Sequence, residues 1–196
     1  MKRKILPWAV VLAAAITTAS AAEIYEIDPV HSTVGFKIRH FFTDVPGRFL
    51  EFSGTINVDT ENPEKMSTQA VIKASSIDTA NAKRDDHLRS VDFFDVENHP
   101  EIRFETTKVE PTGEDKAKVT GNLTIHGVTK PVTMDAEFIG KGAGFEGEMR
   151  TGWKATATIN RKDFGLDWGK VVEGTAVVGD KVEIELNIEA VKKEDA

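Results

Sequence analysis

Five histidines, His31, His40, His87, His99 and His126, are the residues of this sequence best suited to proton transfer or metal ligation. No two of them share the H-x-H or H-x-x-x-H spacing that sets two imidazoles on one ion. The chain has no cysteine, which excludes disulfides, thiolate metal sites and a cysteine nucleophile together. Distant histidines can converge in a fold, but isolated ones beside turns read as hydrogen-bonded structural groups, and no metal site is expected. A G-x-S-x-G elbow, a P-loop and a dinucleotide glycine fingerprint are all missing from the sequence. Carboxylates are plentiful, yet paired acid and base work needs one of them in an apolar site, and the pattern offers only solvated faces. No catalytic residue is expected.

Two other groupings could recognise a ligand. Lys83, Arg84, His87 and Arg89 form a cationic cluster beside Asp85 and Asp86 in an otherwise acidic chain. It fits either a surface helix with local ion pairs or a site for a phosphate or quinone head group, to which arginine offers a two-pronged donor. Phe41-Phe42 and Phe93-Phe94 are adjacent aromatic pairs, and neighbours on a strand point to opposite faces. One ring of each pair either plugs the end of a core or lines the mouth of an apolar pocket.

The elements that must position these groups are strands. Val182, Ile184, Leu186, Ile188 and Ala190 alternate with Glu183, Glu185, Asn187 and Glu189, giving one apolar and one charged face. Similar alternation runs through Val34 to His40, Phe52 to Val58, Ile102 to Thr106, Val119 to Ile125 and Val132 to Phe138. Turn residues separate them at Asp59 to Pro63, Glu110 to Asp115, His126-Gly127 and Gly140 to Gly144. With Ser67 to Ser75 and Gly147 to Asn160 added, about eight strands are joined by hairpin-length turns, which makes them antiparallel. The pattern implies an all-β fold: an eight-stranded antiparallel barrel first, a two-sheet sandwich second. Ala80 to Arg89 suits a short helix, and Ser90 to Pro100 an irregular link. A barrel of this size is either filled by side chains or holds one slender ligand. Small residues expected to face inward, Gly54, Gly121, Ala136, Ala155 and Ala157, would leave room along the axis.

The 196 residues, 40% hydrophobic and 29% charged, suffice for one domain. Lys2, Arg3 and Lys4 precede an apolar run from Ile5 to Ile16 and the small residues Ala19-Ser20-Ala21. This is the pattern of a cleaved secretory signal over residues 1–21, cut at about Ala21/Ala22, with the single domain over 22–196. A membrane anchor is the alternative, but the run is shorter than the roughly 20 residues a span needs. Losing those three cations takes the formal net charge from −7 to −10, unsuited to nucleic acid or anionic membrane surfaces. A periplasmic protein without a transmembrane segment in its mature form is expected.

Ordered motifs run over nearly the whole mature chain: Ile27-Asp28-Pro29-Val30-His31-Ser32 with Val34-Gly35-Phe36, Gly47-Arg48-Phe49, Phe52-Ser53-Gly54, and most specifically Asp85 to Asp95, DDHLRSVDFFD. Gly121 to Val132, GNLTIHGVTKPV, and Asn160 to Leu166, NRKDFGL, extend the series. Together they resemble the YceI-like family, lipocalin-like bacterial periplasmic proteins that bind polyisoprenoids. The resemblance implies an extended lipocalin-like barrel of eight antiparallel strands, a helix near one end, an elongated apolar cavity and no catalytic activity. It also implies a guest such as a polyprenyl phosphate or a ubiquinone-type lipid. Trp153 departs from it, standing where a phenylalanine is expected after glycine, which bears on the cavity's length.

The expected function is that of a periplasmic binding or carrier protein for a long-chain apolar lipid, with no cofactor beyond the bound isoprenoid or quinone. From the strands, Phe36, Ile38, Phe104, Phe138 and Trp153 are expected to line the pocket. Phe41, Phe42, Leu88, Phe93, Phe94 and Phe164 join them from loops and the helix, and Arg84, His87 and Arg89 meet the head group. Two alternatives stand beside it. One is an enzyme acting on a hydrophobic or amide substrate with His87 or His31 as base, marked by a histidine bonded to a carboxylate at the pocket wall. The other is a stress or interaction protein whose barrel is packed solid and which forms a homodimer.

Overall fold

The computed structural model describes residues 22–172 and 174–194. The expected signal segment, including the Ala21 side of its cleavage site, lies outside the described residues. Thirteen strands and one α-helix appear in chain order: β1 Glu23–Ile27, β2 Thr33–His40, β3 Thr43–Phe49, β4 Phe52–Val58, β5 Ser67–Lys73, β6 Ile77–Asp78, α1 Ala82–Arg89, β7 Glu101–Pro111, β8 Lys116–Ile125, β9 Val128–Ala143, β10 Met149–Asn160, β11 Val171–Val172, β12 Thr175–Ala176 and β13 Val178–Lys192. Three pairs are halves of single bent strands. β1 and β2 both lie along β13, β3 and β4 continue along them, and β6 carries on from β5 beside β3. Counted so, eight strands succeed one another round the sheet, every pairing is antiparallel, and β1 closes it on β13. Closure removes the exposed edges that a sandwich would leave.

The alternation read from the sequence survives with phase changes at bulges. Ile102 and Phe104 of β7 face inward, but the register slips between Thr106 and Lys108, and Val109 becomes the next buried residue. One inserted residue reverses which side chains face the core. A similar slip between Gly152 and Trp153 leaves Ile139 of β9 without an opposite partner, half exposed on the outside.

Two expectations about local structure change, and one segment that the pattern left unassigned becomes a strand. The segment Thr43 to Phe49 is a strand although it holds Pro46, because a long hairpin with β2 carries it. Gly140 to Gly142 pair with Arg150 to Gly152 inside β9 rather than turning. The turn falls later, at Gly147, which has the left-handed φ of 89° that calls for glycine. Gly121 and Gly54 leave no room along the axis. A Cβ on Gly121 would stand 2.4 Å from the Phe104 ring, and one on Gly54 2.4 Å from the Gln69 carbonyl. These glycines admit a neighbour's bulk, as Gly47 does for the Phe36 ring.

Two apolar clusters close the molecule. At the helix end Phe49, Ile77, Ile102, Leu123, Ile125 and Phe164 are buried together, and in the far half Tyr25, Ile56, Val58 and Ala190 form a second group. Helix α1 begins after Asn81, whose side chain accepts the Arg84 N–H at 3.0 Å. Among the described residues no helix is long and apolar enough to cross a membrane.

Candidate functional site

Between these clusters a cavity of about 910 Å³ runs the length of the barrel, with walls that are overwhelmingly apolar. It lies at the upper end of the range for small-molecule sites. The 16-residue β9 spans about 50 Å at roughly 3.3 Å per residue, so the space beside it suits a slender guest. The interior is not packed solid.

Of the residues expected in the wall, Phe36, Ile38, Phe104, Phe138 and Trp153 reach it from strands, and Leu88, Phe93 and Phe94 from the helix and the turns after it. Trp153 lies against Phe138 with ring centroids 4.7 Å apart, and its indole N–H donates to Thr151 Oγ1 at 3.0 Å. The tryptophan is thus fixed against the β9–β10 wall in the far half. Ala136 and Ala155 also border the space, whereas Ala157 packs in the surrounding core.

Three expected aromatics lie elsewhere. Phe41 and Phe42 form the two-residue turn joining β2 to β3, where His40 pairs with Thr43, and Phe42 is exposed. The hairpin tip carries them past the cavity wall. Phe164 is 1% exposed and sits in the helix-end core, beneath a 3-10 turn from Arg161 to Phe164.

The cationic cluster divides. Lys83, Arg84 and His87 border the cavity at the helix end. Arg84 is anchored by Nε to Thr79 Oγ1 and by Nη2 to the Thr79 carbonyl, both at 2.7 Å. Arg89 does not reach the cavity, contrary to expectation. It donates to the Ser75 carbonyl at 2.7 Å, the Ile77 carbonyl at 2.9 Å and Asp86 at 3.1 Å, which pins α1 to the barrel rim. A charge pattern reveals a guanidinium but not the carbonyls that satisfy it.

His87 completes a group that sequence reasoning missed. Its ring meets Trp168 and Phe93 edge to face at centroid distances of 5.0 and 5.1 Å, and Phe93 and Trp168 lie 5.1 Å apart. Trp168 sits in a link with no strand or helix periodicity; its only sequence signal is a large aromatic next to Gly169. That link is held by Arg161, 3% exposed, which donates to the carbonyls of Gly179 at 2.8 Å and Trp168 at 2.7 Å and to that of Leu166. His87 Nε2 also bonds Asp92 at 2.9 Å, so the pairing of histidine and carboxylate at the pocket wall exists here.

The far half is organised by ion pairs. Glu23 is held down at about 2 by hydrogen bonds from Lys141, Lys192 and the Tyr25 hydroxyl. Burial pushes the Asp28 carboxyl up, but hydrogen bonds from His31, Arg150 and the Val30 N–H outweigh it and bring it to about 2. Arg150 bridges Asp28, Glu148 and Glu189, and those three bonds raise its own pKa. At that end of the cavity the wall includes Glu114, Asp115 and Lys116.

The fold recurs in known proteins. The YceI-like domain family matches residues 25–190. A UPF0312 protein of Pseudomonas aeruginosa is 40% identical over 190 residues, covering 94% of this chain and 96% of its own. The crystal structure of Burkholderia cenocepacia BcnA superposes with a TM-score of 0.75 at 26% identity, covering 84% of this chain and 99% of its own. A polyisoprenoid binding domain from Saccharophagus degradans shares the fold, with a TM-score of 0.63 at 17% identity over 86% of this chain and 98% of its own. The chain belongs to the YceI-like family.

Proposed function

We propose that this protein binds a long isoprenoid lipid in its barrel and carries it in the periplasm, with the chain along the axis and the head group at the helix end. The observation that carries this reading is the continuous apolar cavity of about 910 Å³. A prenyl chain lying in it gains on the order of 0.8 kcal/mol per methylene buried, before the entropy lost on binding. Polarity at the two ends orients the guest. Lys83, Arg84 and His87 stand at one mouth and Glu114, Asp115 and Lys116, net acidic, at the other, so an anionic phosphate or a quinone carbonyl is favoured beside the helix-end cations. The polyisoprenoid named for the Saccharophagus domain, a barrel of the same fold, supports the same ligand class. Export to the periplasm rests on the basic, apolar and small-residue pattern of residues 1–21.

Organic extraction of protein purified without detergent, followed by mass spectrometry, tests the proposal. An isoprenoid in near-stoichiometric amount is expected. Extracts without lipid, together with no uptake of a polyprenyl phosphate or ubiquinone added to the purified protein, would overturn it.

The His87–Asp92 pair favours one second reading, hydrolysis of a hydrophobic ester or amide with His87 as base. Turnover of a long-chain p-nitrophenyl ester that disappears in His87→Asn would establish it; no turnover by the wild type would end it.

A further inference from the structure

Outside the cavity, three side chains from separate parts of the chain converge beside the helix end. Asp95 lies in the turn after α1, His99 just before β7, and His126 in the turn from β8 to β9. One carboxylate oxygen and one nitrogen of each imidazole all lie within 4.8 Å of one another, and the two rings meet at a centroid distance of 4.5 Å. None of the three borders the cavity. We propose that Asp95, His99 and His126 form a binding site for a divalent transition metal ion of the zinc class.

Two imidazoles and one carboxylate are the donor set that borderline-soft divalent ions take, with remaining positions filled by water. Zinc bonds of about 2.1 Å put tetrahedral ligands roughly 3.4 Å apart, which small side-chain rotations reach from the observed spacing. The backbone is shaped to hold the set. Asp95 and His126 both adopt left-handed φ, 45° and 51°, which residues other than glycine rarely do. Gly127 comes next at φ 74°, and a Cβ there would come within 2.8 Å of the His99 ring. The His99 N–H donates to the Asp95 carbonyl at 2.8 Å, and the Asn98 amide donates to the Asp95 carboxylate at 2.9 Å, fixing two of the three donors to each other.

A second acidic and histidine cluster, Asp28, His31 and Glu189, supplies the contrast. There Arg150 already sits between Asp28 and Glu189, so the cation is part of the protein. Asp95 has no such ion pair among the described residues, and neither His99 nor His126 has a side-chain hydrogen bond among them. The first cluster is therefore the one with donors to spare. Bound metal would tie the turn carrying Phe93 and Phe94 to the β8–β9 hairpin.

Chelator-treated full-length mature protein titrated with zinc chloride in a calorimeter tests this. One equivalent should bind, with affinity reduced roughly tenfold or more in His99→Ala and His126→Asn and unchanged in His31→Ala. Asn suits the left-handed backbone at 126. Added zinc should raise the Tm of wild type but not of the variants, whose Tm in chelator should match wild type. Should either histidine variant fail to fold, Asp95→Asn, which keeps the shape and the backbone preference, takes its place. Cobalt bound in place of zinc should give visible absorption that the variants lose. The absence of stoichiometric binding by wild type, or binding that survives in these variants, would overturn the proposal.

Discussion

The two ends of the barrel satisfy their charges with different partners. In the far half charge meets charge: Glu23 with Lys141 and Lys192, and Arg150 with Asp28, Glu148 and Glu189. At the helix end guanidinium groups lean mainly on backbone carbonyls: Arg84 on that of Thr79, Arg89 on those of Ser75 and Ile77 with Asp86 beside them, and Arg161 on those of Gly179, Leu166 and Trp168 with Asp180 beside them. A lattice of ion pairs can be screened and titrated. Carbonyls have no proton to gain in the accessible range, so loops held by them keep their shape as conditions change. The mouth that we assign to the head group is built in the second way, with the rings of Phe93 and Trp168 left free to face the cavity.

The largest break in this contrast is Arg161→Ala. It strips three carbonyls of their donor beside a buried site, at a cost of about 3 kcal/mol or more. For a chain of this size that is a fall in Tm of roughly 6–12 °C. Scanning calorimetry should register it, and a shift of under about 2 °C would mean that the link carrying Trp168 is held by packing. Trp168→Ala acts on the same end with the opposite balance. The Trp168 residue is half-buried and its bond from Arg161 goes to the backbone carbonyl, which alanine keeps, so affinity for an isoprenoid should drop by roughly tenfold while Tm changes little. A stability loss with unchanged affinity would make the aromatic triangle a plug for the core. Phe93→Ala stands between the two. The ring is 8% exposed and also borders the cavity, so both stability and affinity should fall, the former by about 3 kcal/mol.

Legibility in the sequence divides along the same line. β13 was readable because its apolar and charged residues alternate without interruption from Val182 to Ala190. The helix was readable from Ala80 to Arg89, shortened in the fold because Ala80 takes a left-handed φ of 58° and Asn81 caps the helix at Ala82. β3 was hidden by Pro46 and by its polar residues, since its pairing with β2 is a tertiary fact. At the site, strand aromatics such as Phe36 and Phe104 announce themselves by periodicity. Trp168, Arg161 and the meeting of His99 with His126 do not, because their partners are distant in sequence and their segments have no period. Arg89 reads as a head-group ligand for the same reason: two of its acceptors are backbone carbonyls that no residue type reveals.

The smallest expected effect sharpens the comparison from the far side. Glu23 and Asp28 both have folded pKa values near 2, below the ordinary values of 4.5 and 3.8. A carboxylate whose pKa is depressed by folding stabilises fully above its unfolded value and loses that contribution as pH falls through the folded one. The far half should therefore weaken between about pH 4.5 and pH 2, while at the helix end Asp78 and Asp180, whose pKa values are also lowered, titrate and the bonds to carbonyls do not change. Glu23→Gln should lower stability at neutral pH by about 1 kcal/mol or less, since the carboxylate is partly exposed and salt screens it. The difference from wild type should shrink toward zero as pH falls through about 2, below which both side chains are uncharged. Denaturant unfolding of the two proteins across that range measures it. A gap that stays constant with pH would mean that Glu23 acts through its shape and its hydrogen bond to Tyr25 rather than its charge, and the two ends would then differ less than their ion pairs suggest.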